Sequence, residues 1–186
     1  MNIHYIVFYI SCLIWILPLF KQKYTPYFGY FLVLALSDPV GMVLYTLVKF
    51  HTTYYSLLSI VIQLGFLLQQ RNRINSLVLG VLSTILILLF FHERMQLYYC
   101  ASIVFILIIL TLSLELYKYI KKNEINIFLS LLIFYNVINL FKVLALALSF
   151  EQGAISFSMG YSIQILFGIS FFFVNINTRN FKLHLR

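Results

Sequence analysis

The stretch Tyr27–Val48, YFGYFLVLALSDPVGMVLYTLV, decides the fold class. Its only charged residue is Asp38, and as a helix it would be about 33 Å long, the thickness of a bilayer's hydrocarbon core. A run this long and this apolar reads as a transmembrane helix. Six further runs flank it: Ile3–Phe20, Thr53–Leu68, Ile74–Phe91, Leu97–Tyr117, Ile125–Leu148 and Ala154–Ile176. The third span is the shortest, and six spans is the alternative count. The expected fold class is therefore an all-α, polytopic membrane bundle of about seven transmembrane helices.

Composition agrees. Of 186 residues, 62% are hydrophobic and only 10% charged, with a mean hydropathy of +0.97. A soluble domain carries about 25% charged residues and needs them to cover its surface. The formal net charge of +8 does not point to nucleic acid, because the basic residues are scattered through short connectors rather than gathered in one patch.

The connectors orient the chain. One side receives Lys21, Lys23, Arg71, Arg73, Lys118, Lys121, Lys122, Arg179, Lys182 and Arg186; the other receives only Lys49 and Arg94. The positive-inside rule places the first set in the cytoplasm, with the N-terminus outside and the C-terminus inside. Met1–Phe20 lacks a basic leader, and its lysines follow the apolar run, which predicts an uncleaved first helix. Connectors this short leave one helical domain with up-down neighbours, embedded in the lipid bilayer. Tyr24, Tyr27, Tyr54, Tyr55, Tyr98, Tyr99, Tyr117 and Tyr119 fall where an interfacial aromatic belt would lie. Richness in Ile, Phe, Tyr and Asn suggests an AT-rich genome and a bacterial cytoplasmic (inner) membrane.

In lipid, polar and small residues mark the face turned toward other helices. The last span carries Gly153, Ser156, Gly160, Gln164 and Gly168 at steps of three and four. Ordinary packing explains such a face, and Gly153, Gly160 and Gly168 would also suit a protein partner or a second copy of the chain. Ser56, Ser59 and Gln63 repeat the pattern in the third span, as do Ser76, Gly80 and Ser83 or Thr84 in the fourth. Asn136, Asn139 and Lys142 form a polar stripe on the sixth span that should look into the bundle.

Asp38 sits in Ser37-Asp38-Pro39, about eleven residues from either end of its span. An ionised carboxylate there costs several kcal/mol unless paired, hydrated or protonated. Pro39 deprives the Ala35 carbonyl of its helical donor, and Gly41 loosens the same turn. A carboxylate at a kink recurs at ion and proton sites; a hydrogen-bonded Asp that merely locks helices is the alternative. Lys142 should lean toward the start of its own helix, and so toward the depth of Asp38. Asp38 and Lys142 are thus expected as neighbours, directly or through Asn136, Asn139 or water. Asp38, Pro39, Asn136, Asn139, Lys142, Gln63 and Gln164 make up the candidate intramembrane polar site. Glu115 and Lys118 are expected to form an interfacial ion pair.

An internal repeat is also suggested, with three helices (1–70), a linker helix (74–91) and three more (95–178). Leu19-Phe20-Lys21 corresponds to Leu116-Tyr117-Lys118, Asp38 to Asn136, and Gln63 to Gln164. This plan resembles the parallel-repeat architecture of SWEET sugar transporters, although their Pro-Gln dipeptide is absent and Pro18 and Pro39 have no counterparts in the second half. Leu34-Ala35-Leu36-Ser37-Asp38 is similar to the second helix of rhodopsin-like receptors, but Gln70-Arg71-Asn72-Arg73 and a last span without Asn-Pro-x-x-Tyr depart from that family. No lysine lies in the middle of the last span, as a retinal protein requires.

No catalytic, cofactor-binding or metal-binding motif is present. His4, His51, His92, Glu93 and Glu151 are single residues in separate outer segments, without the paired spacing of a zinc site. There is no phosphate-cradling glycine loop, no G-x-S-x-G elbow and no CxxC. Cys12 and Cys100 lie singly inside apolar runs. The expected function is a non-enzymatic sensory or partner-binding module acting through its helix bundle. The alternative is a small-solute or proton-linked transporter with a site around Asp38 and Lys142.

Overall fold

A computed structural model describes residues 3–49, 52–69, 80, 94–148, 154–176 and 182–184. The chain begins as a broken rod, α1 (Ile3–Ile14) and α2 (Ile16–Gln22), so the run expected at Ile3–Phe20 is interrupted at Trp15 and continues to Gln22. The physical reason is Pro18, which has no N–H to give the carbonyl of Ile14, four residues back. Trp15 keeps its own bond to the Ser11 carbonyl at 3.1 Å. A turn held by the Thr25 hydroxyl on the Gln22 carbonyl (2.9 Å) leads into α3 (Phe28–Val48).

Helix α3 ends where Lys49 turns left-handed, at φ 53°, and α4 (Thr52–Gln69) follows. The fourth expected span, Ile74–Phe91, lies outside the described residues except for Gly80, which is helical and faces Val61 of α4. Helix α5 (Arg94–Ile120) runs three residues beyond its expected limits at each end. A short strand β1 (Glu124–Asn126) precedes α6 (Ile127–Ala147), whose first turn is capped by the Asn126 side chain accepting from the Leu129 N–H. Helix α7 is Ala154–Phe173. Strand β2 (Lys182–His184) pairs antiparallel with β1, Ile125 opposite Leu183. This ribbon ties the C-terminal segment to the α5–α6 turn and was not expected from the sequence.

The described helices form a ring in the order α1/α2, α3, α4, α5, α6, α7 and back to α1/α2. Along the α1/α2–α7 seam, Phe8 meets Tyr161, Ser11 meets Gln164, and Gln22 meets Val174, so these two rods run in the same direction. The glycine face of α7 is used within the chain. A Cβ on Gly168 would come within 2.7 Å of Ile14, and Gly160 faces Lys142. Within the chain Gly168 packs against α1 and Gly160 against α6; Gly153 lies outside the described residues. Glu115 and Lys118 do not close the expected ion pair; the buried Tyr27 hydroxyl is instead in electrostatic contact with Glu115.

The protein is thus all-helical, and Phe28–Val48, Met95–Ile120 and Ile127–Ala147 are long and apolar enough to span a membrane. Ile6–Gln22, Thr53–Gln69 and Met159–Phe173 are apolar but shorter. The outward faces are apolar too: Leu110 is 54%, Phe141 67% and Leu166 65% exposed. Such a band would be costly against water and costs nothing against acyl chains.

One end of the ring is filled. Trp15, Phe31, Phe128, Tyr135, Phe167 and Phe171 are buried together, with Phe31–Phe171 and Trp15–Tyr135 ring centroids 5.0 and 5.2 Å apart. Gln22 secures this end, its amide donating to the carbonyls of Phe171 (3.1 Å) and Val174 (2.9 Å). Those carbonyls belong to the end of α7, where no intrahelical donor remains.

Candidate functional site

The other end of the ring is hollow. A cavity of about 920 Å³ is walled mainly by the C-terminal halves of α3 and α6 and the N-terminal halves of α4, α5 and α7, with Phe8 of α1. Those halves all lie at one end of the bundle. Leu34, Gln63, Phe105, Tyr135 and Gln164 line its deepest part, and the aromatic cluster closes the bundle beneath them.

Five of the seven residues singled out in the sequence line this cavity: Asp38, Gln63, Asn139, Lys142 and Gln164. Helical spacing is the reason. Tyr135, Asn139 and Lys142 recur at steps of four and three, so one face of α6 delivers all three. Leu34, Asp38 and Gly41 do the same on α3, and Ser56, Ser59 and Gln63 on α4.

The remaining two are elsewhere. Pro39 lies one position round α3 from Asp38, away from the lining. Asn136 is completely buried (0% exposed) below the cavity. Its Oδ1 accepts from the Tyr30 hydroxyl at 2.9 Å, and its Nδ2 donates to the Leu132 carbonyl at 2.7 Å. Asn136 is therefore a satisfied lock between α3 and α6.

Asp38 and Lys142 are half-buried and share the cavity within electrostatic range of each other. No ion pair of 4 Å or less joins them, and neither makes a hydrogen bond to a described residue. The Lys142 ammonium sits instead 5.4 Å from the centre of the Tyr161 ring, a cation–π distance. Tyr55, Tyr135 and Tyr161 also feel the Asp38 carboxylate. The amides are arranged around these charges. Gln164 accepts from the Ser11 hydroxyl at 3.3 Å, and Asn139 donates to the Tyr135 carbonyl at 2.9 Å. Gln63 is buried in the wall without a hydrogen-bond partner among the described residues.

Hydroxyls bond the two α3 carbonyls that flank Ala35 in the chain. The Ser37 hydroxyl donates to the Leu34 carbonyl at 2.9 Å, and the Tyr55 hydroxyl reaches the Leu36 carbonyl at 3.5 Å. Gly41 makes room for this: a Cβ there would stand 3.0 Å from the Tyr55 ring.

Sequence reading missed the tyrosines of the site. Tyr55 and Tyr98, expected in an interfacial belt, line the cavity, as do Tyr45, Tyr135 and Tyr161. The available signal was the step of four from Tyr135 to Asn139, which puts both on one helix face. Tyr99, one position from Tyr98, is exposed on the outside as a belt residue would be.

Among the described residues no three His, Cys, Asp or Glu side chains converge on a point that could hold a metal. Of the outer-segment residues considered for such a site, His51, His92, Glu93 and Glu151 lie outside the described residues. What the arrangement can do is hold a polar solute. It offers one anion, one cation, amide groups and aromatic faces around a single cavity. No protein-family model, curated protein or solved structure matches the chain.

Proposed function

We propose that the chain is a non-enzymatic, seven-span membrane protein, N-terminus out, whose helix bundle receives a small solute from outside and acts as a sensory module. The observation that carries this reading is the cavity of about 920 Å³ with Asp38 and Lys142 in its wall and packed aromatics beneath it. Its size falls at the upper end of the range for small-molecule pockets. The ten-to-two division of basic residues supports an orientation with the hollow end outside and the filled end, with Gln22 and the β-ribbon, in the cytoplasm. The bilayer would be the cytoplasmic membrane of a bacterium. A solute bound among α3, α4, α5, α6 and α7 could bias how these helices pack, and that bias is what a partner on the cytoplasmic side would read.

Transport is the second reading. Its support is the Trp15 break with Pro18 and the proline inside α3, Pro39, which are weak points where helices could rock to open the filled end. The solute and any partner would be the same chemical entities in both readings; only the flux differs.

The test is accessibility. With Cys12 and Cys100 replaced by Ala, Gln63→Cys should react with a membrane-impermeant thiol reagent added outside and not with the same reagent added inside. Failure to label from either side would remove the solute-receiving reading, and labelling only from the inside would invert the topology. Saturable flux into liposomes would then favour transport over sensing.

A further inference from the structure

We infer that the cavity recognises a zwitterion: a solute whose ammonium lies against Asp38 and whose oxyanion lies against Lys142. This rests on the solute-receiving reading above and names the chemistry of its ligand. Three observations carry it. First, Asp38 and Lys142 face one cavity within electrostatic range, yet lie beyond ion-pair contact and make no hydrogen bonds to described residues. Two opposite charges held apart in a low-dielectric wall form a fixed dipole. Its complement is a second dipole of opposite sense, because a lone cation or anion would leave one wall charge unanswered and shift a balanced site away from neutrality.

Second, the groups around each charge suit the two ends of such a solute. Tyr55 and Tyr135 line the cavity and feel the Asp38 carboxylate, and tyrosine faces attract ammonium and quaternary ammonium groups. The Gln63 amide, without a hydrogen-bond partner among the described residues, adds a donor and an acceptor. Third, Phe8, Leu57, Leu97 and Phe105 complete the wall, which suits an apolar body attached to the charged head. Amino-acid-like solutes and betaines have this chemistry, and so does the ethanolamine headgroup of a phospholipid.

The experiment uses the full chain in nanodiscs and reads both the thermal unfolding midpoint and equilibrium binding. In phosphatidylglycerol discs, the probes are leucine, phenylalanine and glycine betaine, with phenylalaninamide (no carboxylate) and 3-phenylpropionate (no ammonium) as controls. A parallel arm replaces phosphatidylglycerol by phosphatidylethanolamine with no soluble probe, which separates a lipid source from an aqueous one. At least one zwitterion, soluble or lipid, should raise the midpoint. If phenylalanine binds, each single-charge analogue should bind at least about tenfold more weakly, since each leaves a wall charge unanswered.

Asp38→Asn should abolish discrimination between phenylalanine and 3-phenylpropionate while keeping discrimination against the amide; Lys142→Met should do the reverse. If these variants fail to fold, the ligand analogues on the unaltered protein still decide. Single-charge analogues binding as tightly as phenylalanine would overturn the inference, as would the absence of any midpoint shift in every arm. If Gln63→Cys labels from outside in that case, only the zwitterion assignment falls. If it labels from neither side, the solute-receiving reading falls with it.

Discussion

Consider the stability of the two cavity charges when they are removed separately and together. Asp38→Asn leaves the Lys142 ammonium with no opposite charge in the cavity, and Lys142→Met leaves the carboxylate in the same position. Two unit charges 4 Å apart attract by about 4 kcal/mol at an effective dielectric constant of 20. The pair lies beyond that separation, so about 4 kcal/mol is a ceiling, and doubling the distance halves it to about 2 kcal/mol. The double variant Asp38→Asn/Lys142→Met should therefore be more stable than the sum of the single losses predicts, by up to about 4 kcal/mol. The assay is reversible unfolding of the purified protein in mixed micelles, followed by far-UV circular dichroism, for all four proteins of the cycle. Single losses that add to within about 0.5 kcal/mol would show that the two side chains do not sense each other. The electrostatic argument for the site would then be wrong.

Gln22→Leu removes both amide bonds that cap α7 and should cost about 2–4 kcal/mol in the same unfolding assay, because two buried carbonyls lose their donor. Hydrogen exchange should quicken at the last turn of α7 and leave α5 unchanged. Tyr30→Phe should cost about 1–3 kcal/mol by stranding the Asn136 Oδ1, and adding Asn136→Leu should recover part of that loss. Gly168→Val should destabilise by about 1–3 kcal/mol through collision with Ile14. Ile14→Ala should relieve the collision, and a double variant no better than Gly168→Val alone would show that α1 and α7 do not meet there.

Much of the candidate site could be read from the chain because lipid inverts the usual rule. Asp38, Asn139, Lys142, Gln63 and Gln164 were conspicuous as polar residues in apolar runs, and hydrocarbon leaves such groups nowhere to turn but inward. The same rule cannot rank inward positions. Asn136 and Asn139 are three residues apart and look equivalent in the sequence, yet one is sealed against Tyr30 and the other faces the cavity. Tyrosines escape the rule altogether, because their amphipathic rings suit an interface, a core or a cavity wall equally well. That is why the sequence suggests an interfacial belt for Tyr55 and Tyr98. The glycine stripe of α7 shows that something packs closely there; α1 meets Gly168 and Lys142 of α6 meets Gly160.

By itself, the sequence determined that the chain is helical and that several of its helices suit lipid. Run length, scarcity of charge and the internal satisfaction of backbone hydrogen bonds are local properties, and they leave no other option in hydrocarbon. Only the tertiary structure decided that the ring is filled at one end and hollow at the other, and that Asp38 and Lys142 share the hollow without touching. Those outcomes depend on how far apart side chains from separate helices come to rest, and no spacing along one helix encodes a distance between two.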